Sequence, residues 1–283
     1  MNKQEQHWLN LFGDYTSEGT AWHANVTVYT PDQHVLRAYQ FTRTFATNHD
    51  KTIVTHRNEY FLHDGATKEQ TWRLDKQTCN QPDGVIHPAS TNMRSLSMGQ
   101  GSSAWVPTQV VPNQAFSTEL FLRKDSHRYS VVIIYTLEGQ IERIVTITEQ
   151  VNEFPPPATG EKLEKLSGQW REKVETMTPS LEVIMHDKGA IWKDLPLDSS
   201  QTGNKTFLLP DNFVVNIPEA LAISQGGEGD TSEFYFPALS EQQTCRLTVG
   251  KRMHETEYKQ LSLEYNHSGD LQRLECQTFE RVS

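Results

Sequence analysis

The sequence predicts an all-β fold arranged as two related units. Apolar and polar residues alternate over most of the 283 residues, the period of a strand with one wet face. Turn chemistry interrupts that alternation roughly every ten residues with no long helical pattern between, as in sandwiches and barrels. The stretch 131–149 returns 130 residues later as 261–279. Tyr135, Gly139, Arg143 and Thr148 recur as Tyr265, Gly269, Arg273 and Thr278. Apolar type persists at Val131/Leu261, Ile133/Leu263, Ile141/Leu271 and Ile144/Leu274.

The first element is the exception to the strand pattern. Trp8, Leu9, Leu11 and Phe12 fall at helical spacing and Gly13 follows, which predicts a short helix able to plug a barrel end. Val26-Thr27-Val28-Tyr29 then reads as strand and ends at the turn Thr30-Pro31-Asp32. Strand-like segments continue over 35–45, 53–62, 71–74, 94–98 and 116–122, divided by His63-Asp64-Gly65, Pro82-Asp83-Gly84 and Gly99-Gln100-Gly101. Residues 131–135 and 141–147 flank Leu137-Glu138-Gly139-Gln140, a hairpin signature. Pro155-Pro156-Pro157-Ala158-Thr159-Gly160 ends this unit, because a proline triplet cannot pair as a central strand. The expected domains are therefore 1–154 and 161–283, with 155–160 as linker. Residues 161–166 predict a second short helix, followed by strands at 181–185, 213–217, 234–236, 246–249, 261–265 and 271–279 and a glycine-rich loop at 225–230.

Composition narrows the function. The formal charge of -10 disfavours nucleic acid and anionic membrane surfaces, which need clustered Lys and Arg. No apolar run is long enough for a membrane span, and the N-terminus lacks the pattern of a signal peptide. Cys79, Cys245 and Cys276 form neither a disulfide framework nor a CxxC site, so a cytoplasmic location is expected. The mean hydropathy of -0.62 fits sheets with one solvated face.

The openings Gly13-Asp14-Tyr15 and Gly168-Gln169-Trp170, each after a predicted helix, resemble the Gly-x-Trp start of lipocalin-like (calycin) barrels. Phe116-Ser117-Thr118-Glu119-Leu120, Arg128-Tyr129-Ser130-Val131-Val132, then Tyr135, Gly139 and 141–149 resemble an uncharacterised two-domain lipocalin-like family typical of cyanobacteria. That resemblance covers nearly the whole chain. It implies two tandem antiparallel barrels, each preceded by a short helix. More distantly the chain is similar to lipocalin-like phycobiliprotein lyases, which hold an open-chain tetrapyrrole; none of their functional positions carries over.

Motifs for phosphate, metal or nucleophilic chemistry are missing. Gly99-Gln100-Gly101 precedes no helix, and no His-x-His, His-Glu-x-x-His or Gly-x-Ser-x-Gly occurs. The candidate site is the aromatic-rich first unit. Trp22 and Trp72 supply flat apolar surface there, and His56, Arg57, Glu119 and Arg128 supply polar anchors. Glu119 and Arg128 become Val249 and Tyr258 at the shift of 130, which marks them as specific to the first copy, whereas Tyr135 and Arg143 are kept and suit a structural role. The expected function is non-catalytic binding of a hydrophobic or tetrapyrrole-like small molecule in the N-terminal barrel. Two alternatives stand beside it: a chromophore lyase, isomerase or cyclase using the cavity, and a self-filled structural module.

Overall fold

A computed structural model describes residues 1–13, 20–62, 64–99, 101–111, 114–186, 189–197, 204–221 and 245–282. The predicted strand at 234–236, the loop at 225–230 and the opening residues Asp14 and Tyr15 lie outside them. The chain divides into two compact units. The first holds Met1–Val106, Thr118–Ile133 and Arg143–Pro157. The second holds Ala158–Ser283 together with Pro107–Ser117 and Ile134–Glu142, two segments that the sequence places in the first unit.

The first unit opens on helix α1 (Lys3–Phe12), capped by the Asn2 side chain, which accepts the Glu5 N–H at 2.8 Å. One side of α1 buries Trp8 and Phe12 against Val54, Leu74 and Val85. Eleven strands follow: β1 (Ala21–Tyr29), β2 (Val35–Thr47), β3 (Ile53–Phe61), β4 (Thr67–Asp75), β5 (Asn80–Gln81), β6 (Gly84–His87), β7 (Ser90–Gly99), β8 (Ser102–Pro107), β9 (Phe116–Lys124), β10 (His127–Tyr135) and β11 (Ile141–Val151). They form one sheet in the order β4-β3-β2-β1-β11-β10-β9-β8-β7-β6-β5. The one-turn helix α2 (Lys76–Cys79) joins the two edge strands, leaving a nearly closed barrel. Gly99 ends β7 and Gly101 precedes β8; Gly101 has φ +88° and a Cβ there would lie 2.5 Å from Arg123, so glycine is required.

The second unit carries β12 (Leu166–Met177), β13 (Val183–His186), β14 (Ile191–Leu195), β15 (Asn204–Leu209), β16 (Phe213–Pro218), β17 (Cys245–His254), β18 (Glu257–Tyr265) and β19 (Leu271–Arg281). These pair in the order β13-β12-β19-β18-β17-β16-β15, with β14 also on β12. The predicted helix at 161–166 does not form. Residues 158–165 have no regular structure, and Leu166 already begins β12. Leu163 and Leu166 are instead both buried with Trp170 and Leu195. A single turn after a proline run has too few hydrogen bonds to offset its nucleation cost, so burial decides the conformation.

Strand limits repeat at the shift of 130 residues. β10 and β18 run 127–135 and 257–265; β11 and β19 run 141–151 and 271–281. Two reciprocal bonds lie within the second unit. The Tyr135 hydroxyl donates to Pro218 O at 2.8 Å, at the end of β16, and Tyr265 donates to Pro107 O at 3.1 Å, at the end of β8. Likewise the Val110 N–H donates to Gly269 O, and Leu221 N–H to Gly139 O.

Candidate functional site

Strand register decides which side chains face the barrel interior, because successive residues point to opposite faces. Trp22, Ala24 and Val26 of β1 lie opposite Arg43, Phe41 and Tyr39 of β2. Phe41, Arg43 and Phe45 lie opposite Tyr60, Asn58 and His56 of β3, and His56 lies opposite Trp72 of β4. Glu149 of β11 lies opposite Ala24. Arg43, Glu149, His56, Asn58, Tyr60 and Trp72 therefore share the face of Trp22, Phe41 and Ile147. Arg57 has the other parity. It is exposed and pairs with Glu69 at 2.7 Å on the outer face, away from this group.

The centre of the interior is a charged trio. Arg128 grips Glu149 with both edges of its fork, Nε to Oε2 at 2.5 Å and Nη2 to Oε1 at 3.0 Å. Arg43 Nε sits 3.2 Å from Oε1 of the same carboxylate, near enough for an ion pair but not aligned for a hydrogen bond. All three side chains are at most 8% exposed. The Arg128 guanidinium lies between the rings of Trp22, 4.9 Å away, and Phe121, 5.3 Å away. Burial alone would raise the Glu149 carboxyl, but Arg128 and Arg43 outweigh it and hold it below the ordinary range.

Glu119 accepts from the Ser130 hydroxyl at 2.9 Å. Burial pushes its carboxyl up, beyond what Arg43 and that hydrogen bond return. His56 is depressed well below its ordinary value, first by burial and then by Arg43, so the ring is neutral. Its Nε2 meets Asn58 Oδ1 at 2.9 Å, and Asn58 Nδ2 donates to the Tyr60 hydroxyl at 3.1 Å. Asn58 Oδ1 therefore accepts a hydrogen bond from the His56 Nε2–H, which leaves Nδ1 as the unprotonated nitrogen. Rings continue from His56 to Phe45 and Trp72, each 4.8 Å away, and through His87 to Trp105 at 4.5 Å.

A cavity of about 50 Å³ lies against this group. Arg43, Arg128, His56, Ser95, Ser97 and Ser103 give it a polar wall; Phe45, Leu74, Trp105 and Phe121 give an apolar one, and Asn10, Leu11 and Phe12 of α1 border it. Of the residues expected from sequence, Trp22, His56, Trp72, Glu119 and Arg128 share this interior and Arg57 does not. Arg43 and Glu149 were not anticipated. Their signal is a charge on the apolar phase of a strand: Arg43 between Phe41 and Phe45, and Glu149 in step with Val145 and Ile147. Among the described residues, no three His, Cys, Asp or Glu side chains are grouped to hold a metal, and no helix is long and apolar enough to cross a membrane.

At the shift of 130, the second unit replaces this pair. Arg128 corresponds to Tyr258 and Glu149 to Phe279, cross-strand neighbours whose rings lie 6.0 Å apart in an apolar cluster with Trp170. The buried ion pair of one sheet is thus an aromatic pair in the other.

Comparison with known proteins extends to fold and family. No curated protein matches the chain significantly. A Nostoc punctiforme protein of unknown function from the DUF3598 family is 14% identical over 98% of this chain and 99% of its own, with a TM-score of 0.68. A Nitrosomonas europaea protein provisionally described as AttH (8% identity, 93% of this chain, 92% of that one) has a TM-score of 0.19, too low to carry an argument. The family described as "Domain of unknown function (DUF3598), N-terminal" matches residues 4–154, the stretch that holds every member of the buried group. That match spans more than half of the sequence, and the chain belongs to the DUF3598 family.

Proposed function

We propose that the chain is a non-catalytic binding protein whose small-molecule ligand sits inside the N-terminal barrel. The observation that carries this reading is the buried Arg43–Glu149–Arg128 trio beside a cavity, at positions where the second unit manages with Tyr258 and Phe279. Buried ion pairs are poor stabilisers compared with apolar packing of the same volume, so their presence in one unit alone points to a ligand. The partly apolar wall suits a hydrophobic body. A tetrapyrrole-like ligand needs on the order of hundreds of Å³, more than the roughly 50 Å³ of this cavity. An enzymatic reading has one observation in its favour: a Glu119 carboxyl raised toward its protonated form is suited to general-acid work.

The test is a titration of the full chain with a panel of small apolar acids, alcohols and bilins. Binding is read by tryptophan fluorescence, with Trp105→Phe identifying the signal from the cavity. A saturable change that depends on Trp105 is expected; no response across the panel would sink the binding reading.

The two units further suggest an internal duplication of a lipocalin-like barrel. The equal strand limits at a shift of 130 and the reciprocal Tyr135–Pro218 and Tyr265–Pro107 bonds support it. Three free cysteines fit a reducing, cytoplasmic setting.

A further inference from the structure

We infer that the N-terminal cavity takes the carboxylate of a short-chain aliphatic monocarboxylic acid, gripped by Arg43. This rests on reading the cavity as a binding site and adds the ligand's chemical class.

Three observations lead there. The first is hydrogen-bond capacity. Arg128 commits both Nε and Nη2 to Glu149. Arg43 offers Glu149 only an unaligned Nε, and no hydrogen bond from its guanidinium is formed among the described residues. Its side chain is 7% exposed and borders the cavity, so a ligand held there can meet its Nη edge. A planar carboxylate matches that edge.

The second is charge. The interior holds Arg43 and Arg128 against one firmly ionised carboxylate, Glu149. Burial raises the Glu119 carboxyl, which accepts from Ser130 and forms no ion pair with Arg43, and His56 is neutral. Arg43 is thus the cation without an aligned anionic partner, which a monoanion supplies. A phosphate dianion would leave a buried negative charge, which is costly.

The third is size and lining. About 50 Å³ admits on the order of four or five heavy atoms, given that one water needs roughly 10–15 Å³ on this measure. Phe45, Leu74 and Phe121 offer an alkyl tail apolar contact, while Ser95 and Ser97 lie on the polar side.

The experiment compares propionate with its neutral isostere propionamide, and with inorganic phosphate, on the full chain, by tryptophan fluorescence and thermal shift. Propionate is expected to bind saturably and raise the melting temperature, with propionamide and phosphate at least about tenfold weaker, the scale of one charge-assisted contact. Arg43→Met is expected to remove the preference and Arg43→Lys to restore part of it. Should Arg43→Met fail to fold, the wild-type comparison still decides. Propionamide binding as tightly as propionate would overturn the carboxylate assignment and leave the binding reading intact. Silence toward propionate overturns it too, while a response to other members of the apolar panel keeps the binding reading.

Discussion

Acidification should loosen the N-terminal unit, and the contribution of His7 can be isolated from those of the other buried histidines. The His7 ring is 2% exposed on α1 and lies against β7, where Nε2 accepts the Ser97 N–H at 3.0 Å. Nε2 must therefore be unprotonated, and Nδ1, which has no partner among the described residues, carries the proton. A second proton would cost the Ser97 bond and bury a charge. Burial accordingly lowers the ring's pKa from 6.5 to about 4. The unfolded chain takes up that proton near pH 6.5, the folded chain only near 4. Between those values the unfolded state holds more protons, so this contribution is intact above 6.5 and lost as pH falls toward 4. The displacement corresponds to about 3 kcal/mol. The assay is urea unfolding at intervals from pH 7.5 to 4, on the wild type and on His7→Gln, whose amide oxygen can accept the Ser97 N–H without titrating. Other groups titrate equally in both proteins, so the difference between the curves isolates His7. The wild type should lose about 3 kcal/mol relative to the variant across this window. Parallel curves would refute the reasoning, and so would a gap that opens above pH 7.

Arg128→Ala should leave Glu149 buried with only the unaligned Arg43, costing about 3–5 kcal/mol in urea unfolding. Replacing the whole trio with apolar side chains (Arg43→Met, Arg128→Tyr and Glu149→Phe) should instead leave stability within about 1–2 kcal/mol of wild type or above it, while ligand binding disappears. Tyr135→Phe and Tyr265→Phe should each cost about 1–3 kcal/mol, since each strands a buried proline carbonyl; clearly unequal losses would contradict the reciprocity of the two bonds. Gly250→Ala should lower the melting temperature by an amount equivalent to about 1–3 kcal/mol or more, because its Cβ would lie 1.7 Å from the Tyr258 hydroxyl oxygen.

Much of this fold is legible in the sequence because its signals are local. Asn2 and Gly13 bracket α1, and Gly139 and Gly269 mark two equivalent hairpins at φ +74° and +82°. Residues 161–166 misled because Leu163 and Leu166 lie three apart, a spacing that fits one helical turn and equally an extended segment with both leucines buried. The candidate site was half legible. Aromatic density led to Trp22 and Trp72, and the missing counterparts at the shift of 130 led to Glu119 and Arg128. Arg57 entered on residue type alone. It is one step out of phase with Val54, His56 and Asn58, and parity turns it outward. Parity also exposes what residue type missed, since Arg43 sits in step with Phe41 and Phe45. Which partner such an inward charge finds is set by strands far apart in sequence, and no local pattern encodes that.

The comparison between the two sheets bears most directly on why charges are buried at all. At matched positions, 130 residues apart, one sheet holds Arg128 and Glu149 and the other Tyr258 and Phe279. Trp22 and Trp170 face these positions in both, since Trp22 lies opposite Val151 and Trp170 opposite Arg281, again 130 apart. The second sheet thus shows that a strand meander of this geometry tolerates an apolar pair in this place. The ion pair is not a requirement of the backbone. Buried ion pairs in general often stabilise no more than apolar side chains of similar volume, because desolvation offsets much of the Coulombic gain. The second unit does carry charges, but its Arg246 and Arg273 side chains remain 29% and 42% exposed and keep much of their hydration. Among the described residues, the first unit alone buries two arginines this fully, around a cavity that they border, while the second buries one cation, Lys251. The matched apolar pair of the second sheet shows that the backbone does not require the ion pair, so its place beside the cavity is what the binding proposal has to account for.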